Sequence, residues 1–277
     1  MCDRKAGSRG SLILGVDFSG AADAGTKLWI CCGGMEREEL RVESCFRGQD
    51  LPGSARERDT CLRALRVFIA RSGPSAVGLD FPFGLPGALM PEGSWGDFAV
   101  CFAASCESPG AFRRECYERA GRRELKRATD VEARTPFSPY NLRLYRQTYY
   151  GIGDVLGPLV ADEAVSVLPM QQAKPDRPWL LEICPASTLK SLGMYAPYKG
   201  RIGACRAGRE RILSRLEGAG SLRVADEALR EVVIEDAGGD ALDSVLGAWA
   251  TARGLRDGLH LSVPATSVYA REGYVYA

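Results

Sequence analysis

The fold is decided by the stretch Leu12-Ile13-Leu14-Gly15-Val16-Asp17-Phe18-Ser19-Gly20, in which a short apolar run ends in a carboxylate and then in small residues. An uninterrupted apolar run of this length is typical of a strand that is buried on both faces of a sheet. Such a strand delivers its last side chain to the rim of the sheet, where loops open and ligands bind. Asp17 is therefore a candidate site residue, with the alternative that it only begins a turn with Ser19 and Gly20.

Length and composition predict one large domain over residues 1–277. The chain has 277 residues, and 45% of them are hydrophobic, which suits a single elaborated core. Its formal net charge is +1, so any binding of nucleic acid depends on a local basic surface. The ten cysteines are scattered, as is typical of reduced thiols in the cytoplasm. Neither a cleavable leader nor an apolar span of membrane length is visible, so we expect a soluble, cytoplasmic protein with no membrane partner.

The first third of the chain is predicted to form strands followed by a helix. After the first strand, residues 27–32 and 39–46 are predicted as two further strands of a meander, with a turn at Gly33-Gly34. A helix is predicted from the capping box at 54–57 up to a stop at 73–74.

The next apolar run, Ala76-Val77-Gly78-Leu79-Asp80, also ends in an acid. Asp80 therefore repeats the placement of Asp17 at a strand end. The repetition matters because one acid suggests a turn, whereas several converging acids suggest a metal site.

Residues 87 to about 175 are predicted to form a mainly helical insertion that is rich in cations. The segment 113–127 is strongly basic, and Arg143 and Arg146 alternate with tyrosines further on. Arginines among tyrosines can hold phosphates and stack on bases, and they can equally form a solvated helix face beside acids. Together with Lys199, which lies near the start of a later helix, Arg143 and Arg146 are the candidate substrate-binding residues.

Three further acids come late in the chain. Glu182 lies near the end of a third short apolar strand, 179–183. Asp240 and Asp243 open the last long helix, and their spacing of three places both on one face. Acids at a helix start also serve as caps and complement the helix dipole, and this alternative stays open.

The candidate catalytic residues are therefore all carboxylates, and the group they form favours divalent cations. Two cations about 4 Å apart need several anionic oxygens, so Mg²⁺ or Mn²⁺ is the expected cofactor. Such a pair supports in-line displacement at phosphorus without a histidine or serine nucleophile. The single histidine, His260, is interpreted as structural, and no Gly-x-Ser-x-Gly elbow of a serine hydrolase occurs. The predicted catalytic set is Asp17, Asp80, Glu182, Asp240 and Asp243.

In this order along the chain, five short motifs resemble a family of predicted nucleases with a ribonuclease H-like fold, the domain of unknown function 429 family. They are Gly15-Val16-Asp17, Leu79-Asp80-Phe81-Pro82-Phe83-Gly84-Leu85-Pro86, Glu182-Ile183-Cys184-Pro185, Asp240-Ala241-Leu242-Asp243-Ser244 and Glu272-Gly273-Tyr274-Val275. The resemblance implies an α/β fold with a mixed five-stranded sheet, in which three antiparallel strands are followed by two parallel strands reached through helices. It also implies that the acids converge at one rim.

The related Holliday-junction resolvases suggest which of the acids would bind each metal. In those enzymes a late-helix Asp-x-x-Asp lies beside the first-strand Asp and binds the metals. By that similarity Asp17 would bridge two metals, Asp80 would hold one, and Asp240 or Asp243 would complete the set. Glu182 is a departure, because the resolvase pattern has no acid on that strand.

A metal-dependent phosphodiesterase acting on DNA or RNA is thus the first functional hypothesis. The second is a nucleotide-binding or phosphotransfer module of the actin-like ATPase type, which shares the superfold and also places an Asp on its first strand. Such modules need glycine-rich phosphate loops in both halves of a duplicated domain, and Phe18-Ser19-Gly20 matches such a loop poorly. A catalytically inactive protein that binds a partner is the third.

Overall fold

The computed structural model describes residues 12–258 and 260–277. The amino-terminal residues on which the expectation of an unsecreted chain rests lie outside the described residues. Among the described residues, no helix is both long enough and apolar enough to cross a membrane.

Within the described ranges, eight strands form one mixed sheet, in the spatial order β5-β6-β4-β1-β2-β3-β7, with β8 paired to β6. The strands β1, β2 and β3 are antiparallel, and β4 and β6 continue from β1 in parallel. Their bounds are β1 (Leu12–Asp17), β2 (Trp29–Glu36), β3 (Glu39–Arg47), β4 (Ser75–Leu79), β5 (Ser166–Leu168), β6 (Trp179–Ile183), β7 (Leu222–Val224) and β8 (Val275–Tyr276).

The predicted α/β class and the sequence of three antiparallel and two parallel strands are confirmed, and the count of five is wrong. The additional strands are short: β5 and β8 pair with successive parts of β6, and β7 extends the sheet beyond β3. The turn predicted at Gly33-Gly34 is also wrong, because both glycines continue β2 past a bulge. A Cβ on Gly33 would lie 2.3 Å from the Arg41 carbonyl oxygen, so glycine here permits close strand pairing.

The helices follow the predicted order, with a mainly helical segment between β4 and β5. A 3₁₀ turn (Gly48–Asp50) follows β3, and a π-helical turn (Ile152–Leu156) joins α6 to α7. The helices are α1 (Ala24–Lys27), α2 (Arg58–Ala70), α3 (Trp95–Ser105), α4 (Pro109–Arg119), α5 (Ala128–Glu132), α6 (Tyr145–Gly151), α7 (Gly157–Ala161), α8 (Pro185–Ser191), α9 (Gly203–Gly218), α10 (Glu227–Glu235), α11 (Asp240–Asp257) and α12 (Tyr269–Glu272).

Side chains of β1 alternate between two hydrophobic cores, one on each face of the sheet. Leu14 and Val16 pack with α2 and the helical insertion, whereas Ile13 packs with α9, α10 and α11. All three are fully buried, as expected for a strand covered on both faces. By the same alternation, Asp17 is on the face that α11 covers.

Helix α11 approaches the sheet closely because small residues line the contact. A Cβ added to Gly15 would lie 2.1 Å from the Ser244 carbonyl oxygen, and one added to Gly78 would lie 2.1 Å from Thr251 Oγ1. Glycines at these positions let the helix backbone rest on β1 and β4. The first turn of α11 therefore lies against the end of β1.

Candidate metal centre

Three carboxylates meet where β1 ends and α11 begins, and we call them the acid group: Asp17, Asp240 and Asp243. Each offers one oxygen, and these oxygens all lie within 4.8 Å of one another. Asp17 and Asp243 are buried, and Asp240 is partly exposed. The prediction that acids far apart in sequence converge at one rim is confirmed for these three residues.

Asp80 lies beside this group without belonging to it. Leu79 pairs with Val16 in parallel register, and the Asp80 amide donates to the Val16 carbonyl oxygen at 3.1 Å, so Asp80 follows the end of β4 next to Asp17. Burial and then the charge of Asp243 raise the pKa of Asp80 to about 8. Asp80 is thus close enough for the charges of the acid group to raise its pKa.

The acid group holds more negative charge than its surroundings balance. Burial raises the pKa of Asp17 well above its ordinary value, and the charges of Asp243 and Asp240 raise it further. The pKa values of Asp243 and Asp240 are also raised, in each case mainly by burial. Crowded, desolvated carboxylates favour either protons or a bound cation.

One ammonium group lies against the acid group. Lys199 Nζ is 2.5 Å from Asp243 Oδ2 and 3.5 Å from Asp240 Oδ1. Burial disfavours its charge, but Asp243 and Asp17 more than offset this and raise the pKa of Lys199. The Tyr198 hydroxyl donates to Asp243 Oδ1 at 2.8 Å and fixes the orientation of that carboxylate. Lys199 therefore balances part of the charge while remaining half exposed.

Capping of α11 is performed by another acid. Asp236 Oδ2 accepts from the Asp240 amide at 2.7 Å and from the Ala241 amide at 3.1 Å. The alternative that Asp240 and Asp243 serve as caps is therefore wrong, whereas both acids do lie in the first turn of α11, where they complement the helix dipole. At the end of β1, it is Ser19 Oγ that accepts from the Ala21 amide, at 3.4 Å, in the turn first considered for Asp17.

A cleft of about 570 Å³ opens beside the acid group, and we call it the cleft. Asp243 is the member of the acid group that lines it, together with Asp80 and Lys199. Its wall also includes Arg127, Asp130 and Glu182, the segment between α5 and α6 with Arg143, and the chain that flanks α8. Volumes of this size are typical of sites for small molecules.

Glu182, predicted as catalytic, has its charge balanced by a different set of contacts. Arg127 Nη1 donates to its Oε2 at 2.8 Å, and the Phe83 amide donates to the same oxygen at 2.9 Å. Arg127 also contacts Asp130, and all three residues are almost fully buried. We call Arg127, Asp130 and Glu182 the arginine network. The structure does not bring Glu182 into the acid group, because an arginine already occupies both of its oxygens.

The other predicted substrate-binding residues, Arg143 and Arg146, are exposed. The Arg143 guanidinium lies 5.5 Å from the Phe137 ring centre and lines the cleft. Arg146 lies over Tyr145 and is outside that lining. Within the basic segment 113–127, Arg119 and Arg122 pair with Glu115 and Glu118 of α4, so this part of the segment is a solvated face.

Sequence reasoning missed Tyr198, Asp236 and Arg127. Tyr198 precedes the predicted Lys199, and a hydroxyl beside a candidate cation is the only signal it carries. Asp236 lies four residues before Asp240 and ahead of a glycine pair. An acid just before a helix start is the signal that could have identified it as the cap. Arg127 reaches Glu182 across 55 positions of sequence, and no local pattern indicates that pairing.

His260 and the cysteines take no part in this centre. The His260 ring packs against the rings of Tyr269 and Tyr274, in line with the structural role predicted for it. Among the residues that the structure describes, the cluster whose ligand atoms converge is the acid group, which contains no cysteine.

Comparisons with family models, with curated proteins and with solved structures find no match for this chain.

Proposed function

We propose that this chain is a metal-dependent nuclease that hydrolyses phosphodiester bonds of nucleic acid, with Mg²⁺ or Mn²⁺ held by Asp17, Asp240 and Asp243. The observation that carries the proposal is the convergence of these three carboxylates within 4.8 Å at the end of a buried strand. Asp80 lies alongside and completes a set of oxygen donors.

The donor set fits a hard divalent cation. Carboxylate oxygens are the ligands that Mg²⁺ and Mn²⁺ prefer. The pKa of Asp17 is raised by burial and then by the charges of Asp243 and Asp240, and a cation would relieve that repulsion. The capping of α11 by Asp236 leaves Asp240 and Asp243 free of that task. A bound divalent cation polarises a phosphoryl oxygen and activates water for attack on phosphorus.

The residues of the chain supply positioning around that cation. The Tyr198 hydroxyl holds Asp243 in one orientation. Lys199, half exposed above the carboxylates, binds a phosphate oxygen of the substrate, and Arg143 binds a second phosphate along the cleft. Burial and the charge of Asp243 raise the pKa of Asp80 to about 8, and a cation bound by the acid group would favour the charged form of Asp80.

We also propose that the fold is ribonuclease H-like, with the likeness confined to the central strands. The order β3-β2-β1-β4-β6 supports this, because it matches the succession of three antiparallel and two parallel strands that the resemblance implies. The acids support it too, since they follow β1, follow β4 and open the late helix α11. Strands β5, β7 and β8 are then additions at the edges.

The test is the Asp17→Asn variant, with Asp59→Asn as the matched control on an exposed part of α2. Cleavage of fluorescent oligodeoxynucleotides and oligoribonucleotides is measured with MnCl₂ or MgCl₂, and Mn²⁺ binding is measured by calorimetry. We expect Asp17→Asn to lower cleavage by at least about a hundredfold, since even outer partners of metal ligands contribute roughly 10- to 100-fold. Mn²⁺ binding should weaken in parallel, and Asp59→Asn should behave as wild type. Unchanged cleavage in Asp17→Asn would refute the proposal.

The same preparations separate the alternatives. Calorimetry with ATP tests the phosphotransfer module, for which tight binding of ATP without cleavage of oligonucleotides is the signature. Absence of both activities, with no binding of Mn²⁺, favours a protein that only binds a partner.

A further inference from the structure

The cleft differs in character from the acid group beside it. Its wall is largely apolar and aromatic, and Phe137, Tyr195 and Pro197 contribute to it. Tyr195 is 58% exposed, so much of its side chain is open to a ligand in the cleft. The cleft thus offers ring faces a short way from the proposed cation.

Cations lie over these rings. The Arg143 guanidinium is 5.5 Å from the Phe137 ring centre, and Lys190 Nζ is 5.3 Å from the Tyr195 ring centre. Aromatic faces accompanied by cations are the surfaces on which proteins stack the bases of single strands, because every base has a π-face and every linkage has a phosphate. This arrangement matches the chemistry of a nucleotide.

The cleft also contains cations that suit the phosphate of a nucleotide. Lys199 lies against the acid group, and Arg143 is on the wall, exposed and without an ion pair to any carboxylate that the structure describes. Lys199 and Arg143 thus give the cleft two cations that can bind phosphate, in a lining that also contains Phe137 and Tyr195. These cations and rings therefore suit the phosphate and the base of one nucleotide.

We infer that the cleft binds an unstacked base, and that the substrate is a single-stranded nucleic acid rather than a continuous duplex. The inference rests on the proposed function and names its substrate class. Bases of a duplex are stacked inside it and present only their edges, so they cannot lie against an aromatic wall unless they are first extruded. A cleft of about 570 Å³ is large enough to hold a nucleotide and too small to enclose a double helix.

Binding is tested separately from cleavage. Fluorescence anisotropy is measured with 5′-fluorescein dT₁₂ and U₁₂ and with a hairpin duplex of equal length, in EDTA, on wild type and on Asp17→Asn. The Tyr195→Ala and Phe137→Ala variants are compared with Tyr117→Ala. Tyr117 is the matched control, since it lies outside the cleft lining and has the Arg113 guanidinium 5.6 Å from its ring centre. Thermal unfolding verifies that each variant is folded.

We expect dT₁₂ or U₁₂ to bind at least about tenfold more tightly than the hairpin. Loss of one stacking ring should weaken binding of the single strand by roughly 5- to 150-fold and leave hairpin binding unchanged. Tyr117→Ala should match wild type.

Equal binding of single strand and hairpin, or no effect of either cleft variant, would overturn the inference. Because binding is measured without a cation, it is independent of the proposed reaction. If the single strand binds as expected and wild type cleaves nothing, the nuclease proposal fails while the base-binding cleft stands. If the single strand and the hairpin are cleaved equally, the nuclease proposal stands and the base-binding inference fails.

Discussion

The acid group and the arginine network are two sets of buried acids at one rim of the sheet, and they differ in how their charge is balanced. In the arginine network, one guanidinium donates to Glu182 and Asp130, and its remaining donor capacity is used by the Glu272 carbonyl oxygen. In the acid group, three carboxylates share one half-exposed ammonium. The first set is complete within the chain, and the second is not.

Whether its partners are present distinguishes a structural buried acid from a candidate site residue better than its residue type does. A buried carboxylate with all its partners present stabilises a unique arrangement, and the network joins β6, the loop after β4 and α5. Buried carboxylates that repel one another take up a proton or a cation to offset their charge, so they are candidates for a site. Glu182 and Asp17 look alike in sequence, since each lies at the end of an apolar strand, and only their partners distinguish them.

Removing the cation of the arginine network should have the largest effect on stability. The Arg127→Met variant leaves Glu182 and Asp130 buried without a partner, and we expect it to lower the free energy of unfolding by about 3 to 5 kcal/mol. Urea denaturation followed by circular dichroism measures the loss. The matched control is Arg256→Met, which breaks an exposed ion pair with Asp257 and should change stability by about 1 kcal/mol at most.

A second variant keeps that test informative if Arg127→Met does not fold. Arg127→Met combined with Glu182→Gln and Asp130→Asn removes the unpaired charges along with the arginine, and it should recover a large part of the loss. An Arg127→Met protein as stable as the control would contradict the interpretation of the network as structural.

Asp80, beside the acid group, should make the stability of the chain depend on pH. Because the pKa of Asp80 is raised to about 8, the folded chain keeps a proton that the unfolded chain releases near pH 4. The unfolding free energy in EDTA therefore decreases as pH rises from about 4 to about 8, with a slope of about 1.4 kcal/mol per pH unit for one proton. In Asp80→Asn this contribution is absent, so its stability relative to wild type should rise across that window. Parallel curves for the two proteins, measured by urea denaturation at several pH values, would contradict the raised pKa.

Much of the fold follows from short apolar runs, whereas the pairing of charges does not. Strands β1, β4 and β6 and helix α11 were predictable because hydrophobic pattern and turn residues determine them locally. The pair of residues in β8 and the three in β7 become strands only because a neighbour is present to pair with them. Likewise, the proximity of Asp17 to Asp243 depends on glycines that bring α11 onto β1, while nothing near Glu182 in sequence announces Arg127.

Removing Lys199 should make the acid group more receptive to a divalent cation. Its ammonium group occupies oxygens of Asp243 and Asp240 and repels an incoming cation. Two charges about 4 Å apart interact by roughly 1 kcal/mol in water and more when partly buried, so Lys199→Ala should bind Mn²⁺ about tenfold more tightly in calorimetry. In EDTA the same variant should be less stable than wild type, because the carboxylates lose the ammonium group that balances part of their charge. Weaker binding of Mn²⁺ would mean that Lys199 supports the cation site instead of competing with it.

The smallest effect separates the cap of α11 from the acid group. Asp236 accepts two amides at the helix start, so Asp236→Ala should lower the free energy of unfolding by about 1 kcal/mol. Asp240→Ala removes a carboxylate that caps nothing, so stability in EDTA should hold or rise, while the affinity for Mn²⁺ falls. The two variants should therefore have opposite effects. Asp236→Ala should lower stability in thermal unfolding, and Asp240→Ala should lower the affinity for Mn²⁺ in calorimetry. If Asp240→Ala were the less stable of the two and bound Mn²⁺ as wild type does, Asp240 would belong to the helix start and the cation site would lose one of its three ligands.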